Sequence, residues 1–580
     1  MLRYLLPSLV ALGAAMSAQV APAAELPAQS TWVRFTSFSY AGTDPAAEKL
    51  AADPDAPGKF LNPILAGFYP DPSICRAQGD YYLVNSSFWY YPGIPVFHSK
   101  DLVHWTQIGF ALDRPSQFST IKGGDVSRGV YAPSIRYRNG TFYITCTLVN
   151  GRGNFLLSAK DPAGPWEGPF WLESVDGIDP SLFFDDDGQS YLLHCAPPMP
   201  GTEQYQGHRT IRMRQIDLQT AQLVGDEKVL VNAGTDITRK PQWVEGPHLY
   251  KKNGTYWLIA AEGGTAADHS VVAFESGKLW GPYTPIPENP ILSQRQLANR
   301  ADAITCAGHA DFVELPNGDW WSVFLGCRPY EANLYNTGRE TFLLPVSWDK
   351  DKPAILPPDK VVPRVLSKPA IPAAQAPAAA AESATTGNLS WTDTFKPGKL
   401  NLRWQLLRAP TEAWYALAYD SLAIAPRNVA LTSYDNPSFV ACRQQHAAFT
   451  ATAELALNQG TAACDAGIVA FQNETHYFFL GVRVNGRTPE VFLEQFNVPE
   501  ARRTAEKPKI LATLPLPVGV GKDSTKVELR ITGAGRPYSF SCRINGGEFK
   551  SLKENVDGSF LSTETAGGFQ GVMLGMYARN

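Results

Sequence analysis

Between residues 60 and 366 short apolar runs rich in aromatic rings recur, and each opens at a glycine. They are Gly79-Asp80-Tyr81-Tyr82-Leu83, Gly140-Thr141-Phe142-Tyr143-Ile144, Gly188-Gln189-Ser190-Tyr191-Leu192, Gly254-Thr255-Tyr256-Trp257-Leu258 and Gly318-Asp319-Trp320-Trp321-Ser322. The glycines are 61, 48, 66 and 64 residues apart. Eight or nine positions upstream of them stand Asp71, Ala132, Asp179, Glu245 and His309. A β-rich unit of this length cannot bury its own apolar face and must stack on its neighbours, so five of them predict a five-bladed β-propeller. If the strand before each turn lines the axis, equivalent positions converge. That place would hold three carboxylates and a histidine.

Alternation returns after residue 389, in Phe449-Thr450-Ala451-Thr452-Ala453-Glu454-Leu455, Tyr477-Phe478-Phe479-Leu480-Gly481-Val482 and Lys526-Val527-Glu528-Leu529-Arg530-Ile531. Turns such as Asn485-Gly486 and Asn545-Gly546 separate these period-two runs, which indicates a β-sandwich over residues 389–580. Residues 367–388 are almost wholly Ala, Pro, Ser and Thr, the composition of a linker. Residues 24–59 read as a mixed segment approaching the propeller. The chain is therefore expected to be all-β in two modules, a five-bladed propeller (60–366) followed by a jelly-roll β-sandwich, with few helices.

The first 23 residues read as a secretory signal peptide. Arg3 gives a positive start, an apolar run follows, and Ala21-Pro22-Ala23 suits cleavage before Ala24. The expected location is secreted or periplasmic. No cysteine precedes Cys75, which excludes a lipid-modified cysteine just after the cleavage point, and no later stretch is long and apolar enough to cross a bilayer.

A net charge of −4 and a pI near 6.2 argue against a nucleic-acid partner, and aromatics at 11% favour binding surfaces built from rings. None of the eight cysteines falls in a C-x-x-C pair, so neither zinc nor redox chemistry is indicated. Cys306–Cys327 and Cys442–Cys464 are the disulfide pairs closest in sequence.

Asp71 lies in Tyr69-Pro70-Asp71-Pro72-Ser73, Asp179 in Ile178-Asp179-Pro180-Ser181 and Glu245 in Val244-Glu245-Gly246-Pro247-His248. One Asp-Pro-Ser would be an ordinary turn signal. Three acids in one register, each followed by a proline that stiffens the strand entry, point to a common site. Glycosidic cleavage requires an acid to protonate the leaving oxygen and a base to activate water. A third carboxylate raises its neighbour's pKa and keeps the donor protonated. Glu245 is read as general acid, Asp71 as general base and Asp179 as the group that orients Glu245 and holds its pKa up, although repeat symmetry alone does not apportion these parts. By contrast, Asp185-Asp186-Asp187-Gly188 lacks the rest of a calcium loop and stands where the third hairpin must turn.

The run Asn62-Pro63-Ile64-Leu65-Ala66-Gly67-Phe68-Tyr69-Pro70-Asp71-Pro72-Ser73, with Ile178-Asp179-Pro180-Ser181-Leu182, Val244-Glu245-Gly246-Pro247-His248, Gly308-His309-Ala310-Asp311-Phe312 and Gly338-Arg339-Glu340-Thr341, resembles glycoside hydrolase family 43. The resemblance implies a five-bladed propeller that hydrolyses β-xylosides and α-L-arabinofuranosides with inversion. It also implies the same three carboxylate roles, with His309 at the floor of the site or beside a central ion and Arg339 as a substrate-side cation. The residues around Gly567, Phe569 and Gly571 look like the concanavalin-A-like sandwich of the β-xylosidase branch. Many relatives carry Trp where Tyr131 precedes Ala132-Pro133.

The expected activity is thus that of an inverting exo-glycosidase releasing xylose, L-arabinofuranose or both from xylan- or arabinan-derived oligosaccharides. Phe88, Tyr131, His309 and Arg339 are the expected substrate contacts. The partner is an oligosaccharide, with neither nucleic acid nor membrane. No cofactor or catalytic metal is required, and a structural divalent ion such as calcium near the propeller axis is allowed for. An endo-arabinanase of the same fold and a non-catalytic carbohydrate-binding propeller are the alternatives.

Overall fold

The computed structural model describes residues 32–118, 124–300, 303–349, 351–371, 384–457, 463–484, 489–517 and 525–580. The expected signal peptide, most of the expected Ala/Pro linker and the Asn485-Gly486 turn lie outside the described residues. Two short α-helices, Pro45–Ala51 and Thr563–Ala566, are the only ones among the described residues, where no helix is long and apolar enough to cross a membrane.

Five antiparallel sheets form the propeller. Their inner strands are Ser73–Ala77, Gly129–Arg138, Ile178–Phe184, Glu245–Lys252 and Thr305–Glu314. Each inner strand turns into a second strand at the aromatic run found in the sequence: Asp80–Val84, Thr141–Val149, Ser190–Ala196, Thr255–Glu262 and Trp320–Cys327. The rings of these second strands, such as Tyr81, Phe142, Tyr191, Trp257 and Trp321, are buried between adjacent blades. Asp185, Asp187 and Gly188 form the third hairpin turn, where the Gly188 N–H donates to Asp185 O at 3.1 Å and the Gln189 N–H to Asp187 Oδ1 at 2.7 Å. Lys59–Leu61 pairs with Val365–Ser367, and the Ile64 N–H donates to Thr341 O at 2.9 Å, so the start of the module is tied to its end.

Below the mouth, the axis is filled by a buried ion pair. Arg136 donates two hydrogen bonds to Asp311, at 2.8 and 2.9 Å, and Ser73 and Tyr250 donate to the same carboxylate at 2.6 and 2.5 Å. These residues come from the inner strands of the first, second, fourth and fifth blades, so the cluster pins them to one another.

The second module is a sandwich of two antiparallel sheets. One contains Val33–Thr43, paired with Leu389–Asp393 and Ala448–Leu457. Residues 33–43, expected only as an approach to the propeller, thus belong to the sandwich. Their alternation buries Val33, Phe35, Phe38 and Tyr40 in its core, and the partner strand lies far downstream. The other sheet reaches into the propeller: Leu406 and Leu407 pair with Tyr91 and Tyr90 of the first blade. Phe68, Phe88 and Tyr90 share one apolar cluster with Leu407, Phe439, Phe471 and Tyr577. The two modules are fused by a common core. All eight cysteines are buried free thiols, and Cys306 and Cys327 hydrogen-bond to each other.

Candidate active site

At the equivalent place in four inner strands, beside Ala132, Asp179, Glu245 and His309, the ladder with the second strand shifts register: Tyr131/Ser134, Ile178/Ser181, Glu245/His248 and Gly308/Asp311. A bulge re-aims the side chain beside it. Asp71, Asp179 and His309 adopt left-handed φ values of 49°, 55° and 52°, which non-glycine residues seldom hold unless their surroundings fix them. Gly246 follows Glu245 with φ 57°, and a Cβ there would lie 2.8 Å from His309 Cε1, so only glycine lets the fourth blade approach the histidine.

These blade entrances open on one pocket of about 290 Å³, at the small end of the roughly 300–1,000 Å³ usual for ligand sites. Asp71, Asp179, Glu245, His309, Arg339, Phe88 and Tyr131 all line it, together with Arg128, Ala132, Val149, Ile178, Arg209, Trp243, Thr265 and Phe569. All seven residues singled out in the sequence meet there. Phe88 is only 1% exposed, so its ring serves as wall more than as open platform.

Asp71 is held on both oxygens. Arg339 Nη1 donates to Oδ1 at 2.9 Å and Ser86 Oγ to Oδ2 at 2.5 Å. Asn85 fixes the segment by donating to the carbonyls of Tyr69 and Pro70 at 3.0 and 3.1 Å. Burial pushes the Asp71 carboxyl up, but the Arg339 guanidinium, His309 and the Ser86 hydrogen bond outweigh it and leave its pKa below the usual value.

Glu245 is the opposite case. Among the described residues no group donates a hydrogen bond to its carboxylate. Burial first, then the charges of Asp179 and Asp71, raise its pKa well above the usual value. Asp179 is raised to about 6, by burial and then by Asp71, against the lowering effects of His309 and the Gly246 N–H. That N–H donates to Asp179 Oδ2 at 3.1 Å, so Asp179 holds the peptide directly after Glu245.

Arg339 also bridges modules. Its Nη1 donates to Thr265 Oγ1 at 2.9 Å and its Nε to the Phe569 carbonyl at 3.1 Å, and its guanidinium lies beside the stacked rings of Phe88 and Phe569, 5.7 and 5.4 Å from their centres. Phe569 comes from the sandwich. Its loop reaches the pocket because Gly571 meets Gly338 backbone to backbone, where a Cβ on Gly338 would lie 2.6 Å from the Gly571 nitrogen. Ser127 Oγ anchors the same loop by donating to Gln570 Oε1 at 2.6 Å.

Arg128, Arg209, Trp243 and Thr265 were not singled out in the sequence, since none occupies the repeated register. Phe569 carried only a likeness to the appended domain. For a divalent ion, Asp311 is unsuited: its oxygens already accept from Arg136, Tyr250, Ser73 and the Ile74 N–H, and an ion there would face a guanidinium.

A propeller whose mouth gathers three carboxyl groups in a ring-lined pocket, one with its pKa lowered and two with theirs raised, fits a hydrolase of sugar–sugar bonds. Residues 60–353 match the model of glycosyl hydrolases family 43, and residues 392–580 that of the β-xylosidase C-terminal concanavalin A-like domain. The chain belongs to glycosyl hydrolase family 43. It is 38% identical to a xylosidase/arabinosidase of Butyrivibrio fibrisolvens, over 89% of this chain and 95% of the relative. It is 35% identical to a non-reducing end α-L-arabinofuranosidase of Bacteroides ovatus, over 90% and 91%. The crystal structure of a GH43_12 protein retrieved from capybara gut metagenome superposes with a TM-score of 0.85 at 40% identity, covering 94% of this chain and 99% of that one.

Proposed function

We propose that the protein is an inverting exo-glycosidase that removes xylose, L-arabinofuranose or both from the ends of xylan- or arabinan-derived oligosaccharides. The observation that carries this is the split between two carboxyl groups of one pocket. Asp71 is ion-paired and stays ionised; Glu245 stands half-buried beside like charges that raise its pKa, and keeps its proton. Asp71 takes a proton from water as the water oxygen bonds to the anomeric carbon. The glycosidic C–O bond breaks, and Glu245 gives its proton to the leaving oxygen. Asp179 holds Glu245 through the Gly246 peptide and, once ionised, keeps its proton affinity high. No cofactor enters this sequence.

Exo action is supported by pocket size and by Phe569, which walls the pocket from the sandwich side; a long chain crossing an open cleft needs that side free. Both named relatives act, by their names, on xylosides or arabinofuranosides, which supports the pentose assignment. Export by the N-terminal segment suits a polysaccharide-derived substrate.

The test is a paired screen with chromogenic β-xyloside and α-L-arabinofuranoside, followed by NMR of the first product formed. A first-formed anomer opposite to the substrate's is expected. Retention of configuration, or no turnover of either glycoside, would overturn the proposal.

A further inference from the structure

One wall of the pocket carries two side chains that the proposed proton transfers leave unused. Trp243, two residues before Glu245, has φ 45°, a costly conformation for a bulky residue, and is 40% exposed rather than packed away. Neighbouring loops hold it there. Its N–H donates to Gly207 O at 3.1 Å, and the carbonyl of Gln242 accepts from the Gly263 N–H at 2.9 Å. The indole lies over Gly264, where an added Cβ would sit 3.4 Å from its Cε3. The fold thus maintains strain to present an indole face at the pocket.

Arg209 lines the same pocket and forms no ion pair among the described residues; its Nη1 donates to the neighbouring His208 carbonyl at 2.9 Å. Its charge lowers the proton affinity of Glu245, which opposes the work of an acid. A cation kept there against that cost needs another use. Position supplies one. Asp71 is surrounded by Arg339, whose guanidinium lies over Phe88 and Phe569, whereas Trp243 and Arg209 neighbour Glu245. The acid must reach the glycosidic oxygen, so its neighbours stand beside the sugar that departs.

We propose that Trp243 and Arg209 form the leaving-group subsite, specific for a neutral sugar ring. The indole covers the C–H face of that ring, and the guanidinium donates hydrogen bonds to its hydroxyls. This rests on the glycosidase function proposed above.

The experiment compares kcat/KM for a pentose disaccharide with that for the methyl glycoside of the same pentose, in wild type and in Trp243→Gly, Trp243→Phe and Arg209→Gln. Glycine suits the left-handed backbone and removes only the ring; phenylalanine keeps an aromatic face. The disaccharide-to-methyl ratio is expected to fall about ten-fold in Trp243→Gly and in Arg209→Gln, and to recover in Trp243→Phe. Ratios within about two-fold of wild type in both Trp243→Gly and Arg209→Gln, including an equal fall on both substrates, overturn the subsite alone. A wild type that cleaves neither glycoside overturns the glycosidase function and the subsite with it.

Discussion

Arg339 Nη1 lies 2.9 Å from Asp71 Oδ1, and both side chains are buried. A carboxylate taken out of water would otherwise bind a proton, so the guanidinium keeps Asp71 ionised. Arg339→Gln removes the charge and keeps polar bulk. Asp71 then titrates higher, and the acidic limb of the kcat/KM profile moves to higher pH, with a loss of about 100-fold near neutrality. A pH–rate series on one aryl glycoside checks it. An acidic limb that stays in place would mean that Arg339 does not set the ionisation of the base.

Asp179 acts on Glu245 by charge and through the Gly246 peptide. Asp179→Asn keeps the hydrogen-bond acceptor and removes the charge. The Glu245 proton is then held by burial and Asp71 alone, its pKa falls, and activity at alkaline pH declines earlier than in the wild type. The alkaline limb should move down while the acidic limb, set by Asp71, moves little. A shift of the alkaline limb in the other direction would contradict this coupling.

Glu245→Gln leaves shape and removes the proton. A loss of about 10² to 10⁴ in kcat is expected on an unactivated disaccharide. The loss should be far smaller on a dinitrophenyl glycoside, whose leaving group departs without protonation. The alkaline limb should also disappear with that activated substrate, because it reports the titration that the variant lacks. Equal losses on both substrates would remove Glu245 from the acid role.

How much of this was legible beforehand depends on which residues share the repeat. Asp71, Asp179, Glu245 and His309 occupy one register of five stacked units, and stacking turns a sequence period into a point in space. Arg209, Trp243 and Thr265 lie outside that register, in segments between strands of the third and fourth blades. Phe569 arrives from the other module, along a path decided by the backbone contact of Gly338 and Gly571. The strand at 33–43 shows its alternation plainly, but nothing local says that its partner is the strand at 448–457. Patterns report which face a residue presents; they are silent on which distant strand covers it.

The Arg136–Asp311 pair tests whether the axial cluster is what holds the inner strands together beneath the pocket. Asp311 is fully buried, and burial raises its pKa, yet Arg136 and then His248 drive it far below the usual carboxylate range. A carboxylate whose folded pKa is depressed stabilises above its unfolded value, near 3.9, and that contribution fades as pH falls toward the folded value. Asp311→Asn leaves the Arg136 guanidinium buried without its counter-charge, which costs about 3–5 kcal/mol. Denaturant unfolding at pH 7 should show that loss. The wild-type advantage should narrow below about pH 4, since the unfolded chain then gains a proton on Asp311 that the folded protein excludes, and the variant has no such group. Because the cluster joins four blades, Asp311→Asn is also expected to weaken activity by displacing inner strands whose entrances carry Asp71 and Glu245. A variant as stable as wild type at pH 7 would mean that the blades hold their places through interblade apolar packing alone.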